Sequence, residues 1–313
     1  MESNNIYELA IIGGGPGGAS AGIYAARKKL KTILITDGFG GQSTVSPDIQ
    51  NWVGIKTISG QELSDSMEKH LREYAVDIVN IKDSERAENI FGNNKDGFEI
   101  KTDKGNIYKT KTILVTTGSH RRRLQAKNAD KLEHRGITYC ATCDGPLFAG
   151  RDVVVIGGGN AGFETASQLL AYAKSVTLIH KNGKFKADEI TVKKVSSHPN
   201  FKLISNADTT EILGENFVAG LKYKDVNTNE EHEIRTDGIF VEIGAEPTTG
   251  FVKDLVELND YGYIVVDHRN QRTSNGGIWA AGDCTDGLYH QNNIAAGDAI
   301  KALEDIYINL RAK

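Results

Sequence analysis

Short apolar runs that end on glycine-rich turns set the rhythm of this chain. Leu9 to Ile12 predicts a strand that runs straight into Gly13-Gly14-Gly15-Pro16-Gly17-Gly18. Ala19 to Arg27 follows as a helix with small residues on its packing face, and a second apolar strand, Thr32 to Ile35, leads to Asp37. The same phrase returns in the middle of the chain. Val153 to Ile156 predicts a strand, Gly157-Gly158-Gly159-Asn160-Ala161-Gly162 a turn, Phe163 to Ala173 a helix and Ser175 to Ile179 a further strand. Near the C-terminal end, Gly277-Ile278-Trp279-Ala280-Ala281-Gly282-Asp283 reads as a short strand closing on an aspartate.

Composition narrows the class without changing this picture. At 313 residues two domains are the natural expectation, and 39% apolar with 25% charged residues suits a soluble globular protein with a real core. A formal net charge of -4 gives no electrostatic case for nucleic acid, His120-Arg121-Arg122-Arg123 being the one local basic run. No apolar stretch approaches the ~18–20 residues that cross a bilayer, and Met1 to Glu8 is polar, without a signal-peptide core. Three cysteines argue against a disulfide scaffold and for a reducing compartment, with the cytosol the simplest reading.

Strand, glycine turn and helix in succession are the setting in which such a turn binds a dinucleotide. Gly13 permits the tight turn, Gly15 lets the backbone approach a pyrophosphate, and Gly18 allows the helix to pack closely on the strand. Asp37 is placed to hydrogen-bond ribose hydroxyls, and Asp283 to receive polyol hydroxyls at the same site, which implies a first domain interrupted by the second turn. Between the two turns lies Cys140-Ala141-Thr142-Cys143. Zinc needs four ligands, and only Cys284 remains among the thiols with no matching Cys or His pair, so no metal site is expected. A redox dithiol between two dinucleotide sites suggests an electron relay.

Gly-x-Gly-Pro-x-Gly, Phe39-Gly40-Gly41-Gln42, Thr117-Gly118, Tyr139-Cys140-Ala141-Thr142-Cys143-Asp144-Gly145 and Gly282-Asp283 stand in the order of the low-molecular-weight thioredoxin reductases, which the chain resembles over essentially its whole length. It is equally similar to the reductase part of the alkyl hydroperoxide reductase flavin subunit. The resemblance implies an α/β protein of two Rossmann-like FAD/NAD(P)-binding domains, the second inserted in the first. The FAD domain would take 1–118 and 248–313, and the pyridine-nucleotide domain with the dithiol 119–247. It implies rotation about links near Thr117-Gly118 and Gly244-Ala245, and a homodimer.

For FAD the resemblance points to Gly13, Gly15, Pro16, Gly18 and Asp37, then Gly41, Gln42, Asn51, Thr117 and Gly118, and finally Gly282, Asp283, His290, Gln291 and Asn292. For the pyridine nucleotide it points to Gly157, Gly159, Asn160, Ala161, Gly162, His180, Lys181 and Lys186. Cys143 would lie against the flavin, Cys140 would be the exposed nucleophile toward a thioredoxin-like or glutaredoxin-like dithiol protein, and Asp144 the acid. Where the family reads phosphate with His-Arg-Arg-x-x-x-Arg, this chain has His180-Lys181-Asn182-Gly183-Lys184-Phe185-Lys186. Lysine lacks the planar fork of arginine. The cationic stretch, free of a repelling carboxylate, favours NADPH narrowly over NADH. Rival readings are a peroxiredoxin-type partner, a donor such as ferredoxin, and a flavin redox sensor without turnover.

Overall fold

Apolar β1 (Ile6–Gly14) is followed by α1 (Pro16–Arg27), β2 (Thr32–Phe39), α2 (Gly60–Ala75), β3 (Val79–Lys82), β4 (Ala87–Asn93), β5 (Gly97–Thr102) and β6 (Ile107–Val115). The structure is a computed structural model and describes residues 6–46, 49–185 and 187–311. The chain continues through β7 (Ser119–Arg121), β8 (Ile137–Thr138), α3 (Ala141–Asp144), β9 (Asp152–Ile156), α4 (Asn160–Leu169), β10 (Ser175–His180), α5 (Glu189–Ser196) and β11 (Phe201–Ser205). Then come β12 (Ala207–Leu213), β13 (Gly220–Asp225), β14 (Glu231–Arg235), β15 (Gly238–Val241), β16 (Ala245–Pro247), β17 (Ile278–Ala280) and α6 (Asn292–Arg311). Packing divides these into two units, Met1–His120 with Glu246–Lys313, and Arg121–Ala245.

In the first unit β3-β2-β1-β6 pair in parallel, and β5 and β4 extend the sheet antiparallel. β17, from the far end of the chain, pairs in parallel with the last three residues of β6. Period-two alternation sends Leu9, Ile11 and Leu114 to one face, where α1, α2 and α6 cover them with Ala21, Leu71, Ala299, Leu303 and Ile306. Ala10, Ile12, Ile113 and Val115 face the other way, against Ile90, Phe98, Val252 and Ile264. Both faces are therefore apolar, as a largely parallel sheet requires.

The second unit repeats this plan at smaller scale. Its parallel sheet runs β11-β10-β9-β15-β8. Val153, Val155 and Phe240 pack on α4 and α5 through Phe163, Ala166, Leu169 and Val195. Val154, Ile156, Ile239 and Val241 pack on the antiparallel layer β12-β13-β14 through Ala207, Ile212 and Leu221.

The helices after the turns begin earlier than the apolar pattern indicates, at Pro16 and Asn160 rather than at Ala19 and Phe163. The glycines and proline that mask helical periodicity form the first turn, where packing outweighs their low propensity. β2 runs on through exposed Asp37 to Phe39, which pairs with Gly14 of β1 across a register shift, although its apolar stretch ends at Ile35. Among the described residues no helix is long and apolar enough to cross a membrane.

Candidate functional site

The first glycine turn is built by exclusion. Gly13 sits at φ 113°, where a side chain is strained, and a Cβ there would come within 2.5 Å of the Thr116 carbonyl oxygen. A Cβ on Gly18 would lie 1.8 Å from the Gly13 oxygen. Gly15 is the exception, since its Cβ would meet nothing nearer than the Gly41 Cα at 4.0 Å. Gly15 also caps α1 with no side-chain acceptor, and Pro16 begins the helix, so the first-turn N–H groups are left for a ligand. A bare, open helix start of this kind fits a dinucleotide pyrophosphate.

Around this turn the fold gathers distant polar residues. Asn51 Nδ2 donates to Gln291 Oε1 at 3.1 Å, Ser43 Oγ to Asn292 Oδ1 at 3.0 Å, and Asn293 Nδ2 to the Asn51 oxygen at 2.8 Å. Gln42 Nε2 donates to the Ser119 carbonyl, and Thr117 Oγ1 to the Thr248 oxygen at 2.6 Å. Gly118, at φ 65°, has nothing within 4 Å of a would-be Cβ. His290 rests on the Tyr263 ring, centroids 5.8 Å apart, and its buried Nε2 has no hydrogen-bond partner. An orphaned ring nitrogen beside such a cluster fits a bound polar heterocycle. Gly282, at φ 75°, turns the chain after β17 into half-buried Asp283. Asp37 is exposed on β2.

In the second unit Gly157, at φ 135°, turns the chain out of β9, and Cβ atoms on Gly157 and Gly162 would strike the Glu242 and Gly157 oxygens at 2.1 and 2.0 Å. Gly159 caps α4 without a side-chain bond, and nothing lies within 4 Å of its would-be Cβ. This second bare helix start fits a dinucleotide as the first does. Asn160 Oδ1 accepts from the Asp188 N–H at 2.8 Å, and Ala161 is exposed. His180 ends β10 with its ring against Gly158, and its Nε2 lies 3.2 Å from the Lys184 oxygen. Lys181 Nζ lies 2.8 Å from Asp208 Oδ2. The stretch is thus not free of a repelling carboxylate, because β12 brings in an aspartate from 27 residues further on. Lys186 lies outside the described residues.

Cys140 and Cys143 form a disulfide at the start of α3, their Cα atoms 5.3 Å apart, as ordinary disulfide geometry demands. The Cys143 N–H donates to Cys140 Sγ at 3.1 Å, and the Asp144 N–H to the Cys140 oxygen at 3.0 Å. Cys143 is exposed and Cys140 half-buried. The reason is local, since Cys140 Sγ folds over the helix start as its cap. Asp144 is held by the Thr138 hydroxyl, which also accepts from the Cys140 N–H at 3.4 Å. Cys284 is fully buried beneath the Val115 and Ala281 carbonyls.

Thr138, Ser43 and Glu242 were not singled out from the sequence. Glu242, directly after the apolar run Gly238–Val241, ends β15 beside the second turn. Burial holds its carboxyl above the usual carboxylate range, while Arg121 Nη1 at 3.5 Å and the Thr165 hydroxyl at 2.8 Å pull it back. An acidic residue ending a fully apolar strand was the available signal.

A bare glycine helix start in each unit and a disulfide on the second define an oxidoreductase, and comparison with known proteins gives its class. The pyridine nucleotide-disulphide oxidoreductase family matches residues 7–299, and the chain belongs to that family. Family membership implies FAD and a pyridine nucleotide, NADH or NADPH. The fold is that of solved thioredoxin reductases from Streptococcus pyogenes MGAS5005 and Giardia duodenalis. They are 32% and 30% identical, each with a TM-score of 0.92 over 99% of this chain and 100% of theirs. Among sequence relatives, the NADH dehydrogenase of Bacillus subtilis (strain 168) is 40% identical over 95% of this chain and 57% of its own length. The F component of the alkyl hydroperoxide reductase of Staphylococcus aureus (strain MRSA252) is 38% identical over 96% of this chain and 59% of its own. The chain spans a little over half the length of these curated relatives.

Proposed function

We propose that this chain is a flavoprotein disulfide reductase acting as a thioredoxin-disulfide reductase, with FAD in the first unit and a pyridine nucleotide in the second. The observation that carries this reading is the closed Cys140–Cys143 disulfide in a unit that also has a dinucleotide turn of its own. Residues to hold FAD are the Gly13–Gly18 turn with Gly41, Gln42, Asn51, Thr117, Gly118, Asp283, His290, Gln291 and Asn292. When bound, FAD supplies a two-electron carrier between nicotinamide and disulfide.

The remaining chemistry belongs to the chain. Two electrons break the Cys140–Cys143 bond. The Cys143 N–H, already directed at Cys140 Sγ, favours the Cys140 thiolate. That thiolate attacks a partner disulfide and forms a mixed disulfide. Cys143 then attacks Cys140 Sγ, restoring the internal bond and releasing the partner as a dithiol. Asp144 donates the proton to the leaving sulfur, and Thr138 orients it. Thioredoxin reductases among the structural neighbours support a thioredoxin-like or glutaredoxin-like partner.

Relatives named as the F component of alkyl hydroperoxide reductase support a second reading, in which the same relay serves a peroxiredoxin-type system. Both are tested by anaerobic flavin bleaching with NADH or NADPH, followed by addition of a thioredoxin or a peroxiredoxin-type protein. Cys140→Ser should keep the bleaching and lose partner reduction. Partner turnover by Cys140→Ser, or absence of bleaching by either nucleotide, would overturn the relay.

A further inference from the structure

In dinucleotide-binding units the end of the second strand meets the adenosine ribose, where a carboxylate suits a free 2′-hydroxyl and arginine a 2′-phosphate. Taking the second unit as the pyridine-nucleotide site, as proposed above, that strand is β10 and its end is His180-Lys181. We propose that Lys181 and Asp208 form a selection pair that makes this unit take NADH in preference to NADPH.

The first support is the ion pair itself. Asp208 Oδ2 lies 2.8 Å from Lys181 Nζ, so the first cation past the strand is already matched by a carboxylate. A 2′-phosphate must share that lysine with Asp208 and meets a like charge at short range. Asp208 is set in its place by the backbone, in register with Lys224 on the neighbouring strand. It does not leave as a flexible tail would.

The second support is the make-up of the stretch itself, in which His180 Nε2 lies 3.2 Å from the Lys184 oxygen. Residues 180–185 also hold no arginine, so the bidentate fork that grips a phosphate is missing from the described part of the stretch.

The pair is partly exposed, with side-chain exposures of 64% for Lys181 and 44% for Asp208. Pairs of that kind contribute little to stability, so Asp208→Asn should leave the fold standing, which its melting temperature checks. The experiment is calorimetric titration of NAD+ and of NADP+ into the oxidised, FAD-loaded protein, where neither nucleotide turns over. The wild type should bind NAD+ more tightly. Asp208→Asn should move the affinity ratio about tenfold toward NADP+, and adding Lys181→Ala should cancel that gain, which locates it in the released lysine. A wild type that prefers NADP+, or a ratio unmoved by Asp208→Asn, overturns the selection pair while leaving the nucleotide site in place. Binding of neither nucleotide overturns the site and the selection together.

Discussion

Burial raises the Cys284 thiol to about 11 from an ordinary value near 9, with nearby Asp283 adding to the shift. The folded protein therefore holds this proton where the unfolded chain has begun to lose it. The sign follows directly: stability is unaffected below about pH 9 and falls as pH rises from there toward 11, since the unfolded state binds fewer protons in that window. Replacing Cys284 with Ala should remove this component of alkaline destabilisation, as denaturant midpoints at about pH 8 and about pH 10.5 will show. The oxidised native protein should give no fast reaction with a thiol reagent, and one thiol per chain after denaturation; prompt native labelling would show that Cys284 is reachable. Cys140 and Cys143 differ from it in kind, because their position on a partly exposed short helix leaves them open to exchange. Thr138 acts through others, bonding both Asp144 and the Cys140 peptide. Nothing in its identity two positions before a cysteine marks it, so its role is visible only in three dimensions.

At the scale of elements, the two βα turns separate glycines that the fold needs from glycines that a ligand needs. A Cβ on Gly18 would lie 1.8 Å from backbone, whereas one on Gly159 would meet nothing within 4 Å. Gly18→Ala should therefore unfold the first unit or lower its melting temperature sharply, read by thermal denaturation. Gly159→Ala should leave the melting temperature nearly unchanged and weaken NAD+ binding by about tenfold or more, because the added methyl occupies only the space over the α4 start. If Gly159→Ala binds as the wild type does, that open space is not where the pyrophosphate lies. The sequence pattern located both turns and their strands correctly. It was less informative about helix starts, since glycine and proline in the first turn carry no periodic signal. Strand β12 had no motif at all, and it is β12 that delivers Asp208 to Lys181.

For the whole molecule, the decisive feature is that the first unit is closed by residues far from it in sequence. β17 pairs with β6, and Trp279, Leu303 and Ile306 lie in the same apolar layer as Leu9 and Leu34. A chain cut after Ala245 should lose that layer's cover and carry no FAD, so its flavin absorbance per mole should be near zero; full flavin content would mean that the N-terminal segment folds alone. The chemistry was legible along the chain because it depends on local spacing: glycines that admit a backbone to a phosphate, and two thiols three residues apart. The disulfide and the parallel α/β units were implicit in that spacing and in the apolar runs. Other properties depended on which distant segments meet. They are the pairing of Asn51 with Gln291 and the carboxylate beside Lys181. Local spacing determines which reaction a chain is equipped for. Contacts between residues 27 or 240 positions apart decide how its charges and hydrogen bonds are matched, and only the folded backbone brings those residues together.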